Sequence, residues 1–545
     1  MASSPDSLPS TASPALTSAA ATLWAADRGD GTYRNPVFYA DYSDPDAIRV
    51  GDDYWLTASS FCHAPGLPIL HSRDLINWTL VNHALPALVP TDHFAQPRHG
   101  QGVWAPAIRH HAGRFWIFYP DPDFGLYVIT ADDPRGAWSA PILVKGGKGL
   151  IDPCPLWDDD GSVYMIHGWA KSRSGICNLL TLHRLSADAT RVIDDGKIII
   201  DANQMPGWRT LEGPKLYKRD GYYFVSAPAG GVAEGYQAIF RARDIWGPYE
   251  SRVVLEQGST PVNGPHQGAW IDTPAGEHWF FHFQELPAYG RVVHLQPMRW
   301  RADGWPVMGD DLDDDGKGQP VLVHAKPALP PQPLAVPARS DDFSAPTLGL
   351  QWQWQGTPQP GWYSLTARPG ALRLACMPAR AGDTHWLTPQ LLMQKFSAPA
   401  FTATVALNFN PAQDGDSAGL MVFGHDYAWL GLTRREGRTT LALHVCANAH
   451  KEGRETIAAS APVDLALGSS DGASRASLQL RVIVSAGASC QFAYSVDGQT
   501  FTQIGAAFQA KSSYWVGAKV GVFAASAPGV ASSGHADFTQ FTMSE

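Results

Sequence analysis

In the N-terminal part of the chain, apolar residues come in short runs joined in pairs by polar turns. Asp44-Pro45-Asp46 leads into AIRVGDDYWLTAS, Trp104-Ala105-Pro106 into AIRHHAGRFWIFY, and Asp152-Pro153 into CPLWDDDGSVYMIHG. Glu212-Gly213-Pro214 leads into KLYKRDGYYFVSA, and Pro265-His266-Gln267-Gly268 into AWIDTPAGEHWFFHF. Each begins with a small or acidic group beside a proline, followed by a short strand, a turn and an aromatic-rich strand. The Gly-containing turns (GDD, HHAGR, DDDG, KRDG, TPAGE) between apolar runs are the mark of hairpins. The repeats start near 44, 104, 152, 212 and 266, at intervals of 60, 48, 60 and 54 residues. Four-stranded units at this period predict a propeller, and five repeats predict five blades. A β-sandwich of the same strands is the alternative this pattern leaves open.

The rhythm changes after QPVLVHAKPALPPQPLAVPARS, a Pro-rich stretch expected to be stiff and extended. Beyond it, FTATVALNF, AGLMVFG, TTLALHV and LQLRVIV are separated by turns. This is the pattern of an antiparallel sandwich with one buried face per sheet. Long helical periodicity is absent, so the fold class is all-β. The expected organisation is a disordered tail over 1–30, a five-bladed propeller over 31–318, a linker over 319–340 and a β-sandwich over 341–545.

Composition narrows the function. The chain has 545 residues with 44% apolar and 17% charged side chains, values typical of a globular protein of more than one domain. Its formal net charge is −10 and no basic cluster appears, which argues against a nucleic-acid partner. A neutral polymer is compatible with that charge. No segment is long and apolar enough to predict a membrane span. The start lacks the basic residues and apolar run of a secretory signal, so a cytoplasmic location is expected. Oligomeric state is left open, a homo-oligomer included. The six cysteines form no CxxC pair, and buried free thiols are expected of Cys62, Cys154, Cys177, Cys376, Cys446 and Cys490.

In a propeller the first strand of each blade lines the axial channel. Asp44, Trp104, Asp152, Glu212 and His266 therefore converge on one cavity. Inward carboxylates are costly unless paired or used. Glycosidic cleavage uses one carboxyl as proton donor and another, ionised, to activate water. In single-displacement enzymes the two stand roughly 6.5–9.5 Å apart, and a third carboxylate nearby raises the donor's pKa. Asp46 is expected to face away from the cavity. DLDDDG over 311–316 reads as an acidic turn and not an EF-hand, because Leu322 stands where the loop needs Glu.

YSDPDAIRV, GVWAPAIR, LIDPCPLWDDDG, LEGPKLYKRDGYYF, GPHQGAWIDTPAGEHWFFHFQ and GRVVHLQPMRW, in this order, resemble glycoside hydrolase family 43. The similarity is greatest to its two-domain β-xylosidases and α-L-arabinofuranosidases. It implies an inverting exo-enzyme that releases xylose from β-1,4-xylo-oligosaccharides, or arabinofuranose from arabinoxylan fragments. Asp44 would be general base, Glu212 general acid and Asp152 the residue that raises and orients the acid. Phe61, Trp104, His266 and Arg291 would bind the sugar. The family small residue after Asp-Pro is here Cys154. The resemblance implies no required cofactor and allows a calcium ion held through water at His266. It makes the C-terminal domain a concanavalin-like jelly roll, one loop of which closes the active site in some relatives. A fructan-hydrolase propeller would need Asn-Asp-Pro-Asn where Ser43-Asp44-Pro45-Asp46 stands, and a non-catalytic sugar-binding propeller would not need all three carboxylates.

Overall fold

The computed structural model describes residues 23–379, 384–462 and 478–545. Five four-stranded antiparallel sheets, each with its strands in chain order, form the propeller. The first blade is Asp46–Val50, Asp53–Thr57, Gly66–Ser72 and Thr79–Leu85. The second is Ala107–His111, Arg114–Asp121, Gly125–Ala131 and Ile142–Gly146. The third is Leu150–Trp157, Val163–Trp169, Leu179–Leu185 and Lys197–Asp201. Lys215–Arg219, Tyr222–Ala229, Tyr236–Ala242 and Glu250–Leu255 make the fourth. Trp270–Asp272, His278–Leu286, Gly290–Trp300 and Pro306–Met308 make the fifth.

The aromatic enrichment of the repeats has a packing cause, since rings meet at every blade junction. Trp55 meets Phe115, Phe118 meets Trp157 and Tyr164 meets Trp246. Phe224 meets Trp270, and Phe281 of the fifth blade meets Trp78 of the first. Edge-on ring pairs add specificity to the area they bury. The ring of blades is also closed by a salt bridge from Arg49 to Asp272 at 2.6 Å, joining first and fifth inner strands.

Two expected boundaries are corrected. Residues 1–22 of the expected tail lie outside the described residues, but 23–30 are packed. Ala25 and Ala26 are buried, Arg34 lies over the Trp24 ring at 3.9 Å, and the Trp24 indole donates to Pro36 O. Indole and methyl surface gains more against the propeller than in water. The Pro-rich stretch is extended but does not stand free. Val323–Ala325 pairs with Thr32–Arg34, Leu329 packs on the core of blades one and five, and Arg339 donates to Trp24 O.

The C-terminal domain stacks two eight-stranded sheets. Their inner faces make one core that includes Leu420, Leu430, Leu443, Leu480, Val482, Val520 and Phe538. This sandwich is tied to the propeller by backbone bonds between Ala64 and Trp354, and by Tyr289 Oη donating to Pro399 O. All six cysteines are unpaired, five buried and Cys177 half-buried. No helix among the described residues is long and apolar enough to cross a membrane.

Candidate active site

The catalytic candidates lie where the inner strands begin. Asp44 and Asp152 adopt left-handed backbone, φ 54° and 56°. Aspartate tolerates that region better than bulkier side chains, and such residues cluster at functional sites. The turn at Asp44 also separates it from Asp46. Strand alternation alone would put residues 44 and 46 on one face. Instead Asp46 is fully buried and accepts from Ile108 N at 2.8 Å and Arg109 Nη1 at 2.7 Å, clamping blade one to blade two.

Asp44, Asp152 and Glu212, from blades one, three and four, line a single cavity of about 270 Å³. Phe61, Trp104, Thr210, Gln267, Arg291 and Trp515 share its wall. Asp44 is the most tightly held. Its Oδ2 accepts from Ser43 Oγ at 2.8 Å and Ser59 Oγ at 2.6 Å, and its Oδ1 from Arg291 Nη1 at 2.8 Å. One lone pair of Oδ1 remains for a water. Asp152 Oδ2 accepts from Gly213 N at 2.8 Å, so the residue beside Glu212 fixes the neighbouring carboxyl. Burial pushes the Asp152 carboxyl up to about 8, and the charges of Glu212 and Asp44 add to the push. The Gly213 N–H and the Lys215 ammonium oppose it. The Asp152 carboxyl is thus largely protonated at neutral pH.

Trp104 and Phe61 stand together, ring centroids 6.3 Å apart, and Phe61 is anchored by backbone bonds to Val103. Arg291 was expected to bind sugar hydroxyls; it lines the cavity and its Nη1 is spent on Asp44 and Ser43. His266 is corrected. It is fully buried behind the wall, with Nε2 3.2 Å from Glu212 Oε1, so it supports the acid and does not touch the cavity. Its Nδ1 has no partner. Among the described residues no three His, Cys, Asp or Glu side chains form a set able to hold a metal.

Sequence reasoning missed Trp515, Gln267, Ser43 and Ser59. Trp515 comes from the sandwich, where it is 42% exposed with φ 63°. Its ring lies edge-on to Trp104 at 6.1 Å, and the Arg291 guanidinium lies 5.7 Å from its centroid. Gly517 N donating to Asp41 Oδ2 and Ala518 N to Ala288 O pin this loop to the propeller. The adjacent pair Tyr514-Trp515 in a polar turn was the available signal.

The model of Glycosyl hydrolases family 43 matches residues 33–306, and that of the beta xylosidase C-terminal concanavalin A-like domain matches 340–544. A putative beta-xylosidase of Xylanibacter ruminicola is 38% identical over 91% of this chain and 86% of its own length. A non-reducing end alpha-L-arabinofuranosidase of Bacteroides ovatus is 30% identical over 76% of this chain and 79% of its own. The crystal structure of a xylan beta-1,4-xylosidase from Bacillus halodurans superposes with a TM-score of 0.79 at 25% identity, covering 94% of this chain and all of that one.

Proposed function

This chain belongs to glycosyl hydrolase family 43, and from that premise we propose that it releases xylose from the non-reducing end of β-1,4-xylo-oligosaccharides with inversion. The observation that carries the reading is the convergence of Asp44, Asp152 and Glu212 on one cavity with an aromatic wall. Glu212 protonates the leaving oxygen. Asp44 takes a proton from the attacking water through the free lone pair of Oδ1, while Arg291 and the two serines hold its plane. Asp152, protonated near neutral pH and fixed by Gly213 N, stands beside Glu212 and orients the acid. Trp104, Phe61 and Trp515 offer ring faces and edges to sugar C–H groups. Trp515 across the mouth favours chain ends over chain interiors.

The test is proton NMR of xylobiose hydrolysis before mutarotation. Early α-xylose supports the single displacement, and early β-xylose overturns it. A second reading, α-L-arabinofuranosidase, draws on the similarity to the Bacteroides ovatus protein. Turnover of an arabinofuranoside with none of xylobiose would select it.

A further inference from the structure

The C-terminal sandwich carries a second cavity, about 660 Å³ against 270 Å³ for the catalytic pocket. It opens on the outer face of the sheet whose inner face is the sandwich core. Three rows of that sheet define it. One row pairs Met421 with Trp429 and Trp429 with His444, and another pairs Ser417 with Thr433. The row between pairs Gly419 with Gly431 and Gly431 with Ala442. A Cβ at Gly431 would lie 2.1 Å from Ala418 O and one at Gly419 2.5 Å from Leu430 O, so no side chain fits there. Phe523, opposite Gly419, packs its ring on Trp429 across this row, and a trough runs between an aromatic wall, Trp429 and His444, and a hydroxyl wall, Ser417 and Thr433.

The aromatic wall is rigid. Trp429 and His444 stack at 3.8 Å, and Glu455 takes the Trp429 indole N–H, the Tyr427 hydroxyl and His444 Nδ1 at 2.9, 2.9 and 3.0 Å. Both carboxylate oxygens are therefore spent. His444 Nε2 on one wall and Thr433 Oγ1 on the other are buried and have no hydrogen-bond partner among the described residues. At the rim stand Arg435 and Arg454, both exposed, with no ion pair or hydrogen bond among the described residues. Neighbouring Arg434, by contrast, is paired with Asp414. Ile457, half exposed, adds an apolar patch to the rim.

Guanidiniums without a partner among the described residues call for a carboxylate, the unpartnered His444 Nε2 and Thr433 Oγ1 call for hydroxyls, and the apolar patch suits a sugar's C–H face. We propose that this trough is a binding site, separate from the catalytic pocket, for an oligosaccharide that carries a uronic acid. A neutral chain would leave the two arginines unused. The site rests on the trough alone, so it stands or falls independently of the catalytic reading.

The experiment is titration calorimetry on the full-length Glu212→Gln protein. The probes are a xylotriose bearing one glucuronic acid, neutral xylotetraose and inorganic phosphate. The double variant Arg435→Ala/Arg454→Ala on the same background is the comparison. Both arginines are exposed, and an unchanged melting temperature verifies its fold. Affinity for the acidic probe is expected to drop about tenfold or more in the double variant and to weaken with salt. Neutral xylotetraose is expected to bind parent and double variant alike. Thr433→Val is expected to weaken the acidic probe with the arginines intact. Equal binding of the acidic probe by parent and double variant, or none by either, overturns the site. Phosphate displacing the acidic probe as well as glucuronate does overturns the sugar assignment. Xylobiose turnover by the otherwise wild-type double variant is expected to be unchanged, which keeps this test apart from that of the catalytic reading.

Discussion

Arg291 of the fifth blade donates to Asp44 of the first at 2.8 Å, across the seam where the propeller closes. The contact joins the two ends of the ring at the catalytic centre. It also gives the buried Asp44 carboxylate its only charged hydrogen-bond partner among the described residues.

Replacing Arg291 by Met leaves Asp44 buried with hydroxyl donors alone. Removing one member of a buried charged pair costs about 3–5 kcal/mol. The expected result is a drop of about two orders of magnitude or more in kcat/KM on xylobiose, mostly in kcat. Steady-state kinetics checks this, and circular dichroism reports whether the propeller stays closed.

Asp152 sets a pH dependence whose sign can be worked out. Its carboxyl ordinarily ionises near 3.8 and is pushed up to about 8 in the fold. Between those values the folded chain binds one proton more than the unfolded chain, so this group lowers stability as pH rises through that window. Asp152→Asn removes the titration. The variant is expected to gain thermal stability over the parent progressively from about pH 4 to pH 8, as melts in a buffer series will show. Its activity on xylobiose should also fall, because the carboxyl that Gly213 N fixes beside Glu212 is gone, and steady-state kinetics checks this.

The propeller was legible because inner strands recur with one chemistry at their starts, and the three carboxylates followed from that recurrence. His266 shared the position but not the role. Gln267, with φ 44°, turns the chain so that the neighbour and not the histidine lines the cavity. Trp515 was legible only as half of an aromatic pair in a polar turn, which does not say where that turn docks. It reaches the pocket only through the docking of residues 517 and 518 on Asp41 and Ala288, far away in the chain. Residues 23–30 read as tail because so short a segment shows neither strand alternation nor a repeat. Their burial depends on a partner surface formed much later in the sequence.

Cys154 bears a structural load. Its Sγ accepts from Arg109 Nη2 at 2.8 Å and from Leu216 N at 3.2 Å, linking blades two, three and four on the axis. Cys154→Ala removes the acceptor of the buried Leu216 N–H and of the half-buried Arg109 Nη2, at a cost of about 1–3 kcal/mol. Cys154→Ser keeps an acceptor and is expected to lose less. Denaturant titration of the two variants checks the order, and equal losses would remove the acceptor role.

Trp515 separates the contribution of the second domain from that of the propeller. Its ring touches Trp104 edge-on and faces Arg291, yet it is 42% exposed and belongs to neither core. Trp515→Ala should therefore leave the melting temperature nearly unchanged. An aromatic pair contributes about 0.5–1.5 kcal/mol beyond buried area, so KM for xylobiose should rise by up to roughly tenfold while kcat is nearly held. Opening the mouth also removes the steric reason for acting at chain ends. The variant is expected to release xylobiose or longer products from xylohexaose, where the parent releases xylose alone. Chromatography of early products decides it: xylose alone from the variant would mean that the propeller itself, without the sandwich loop, blocks the chain.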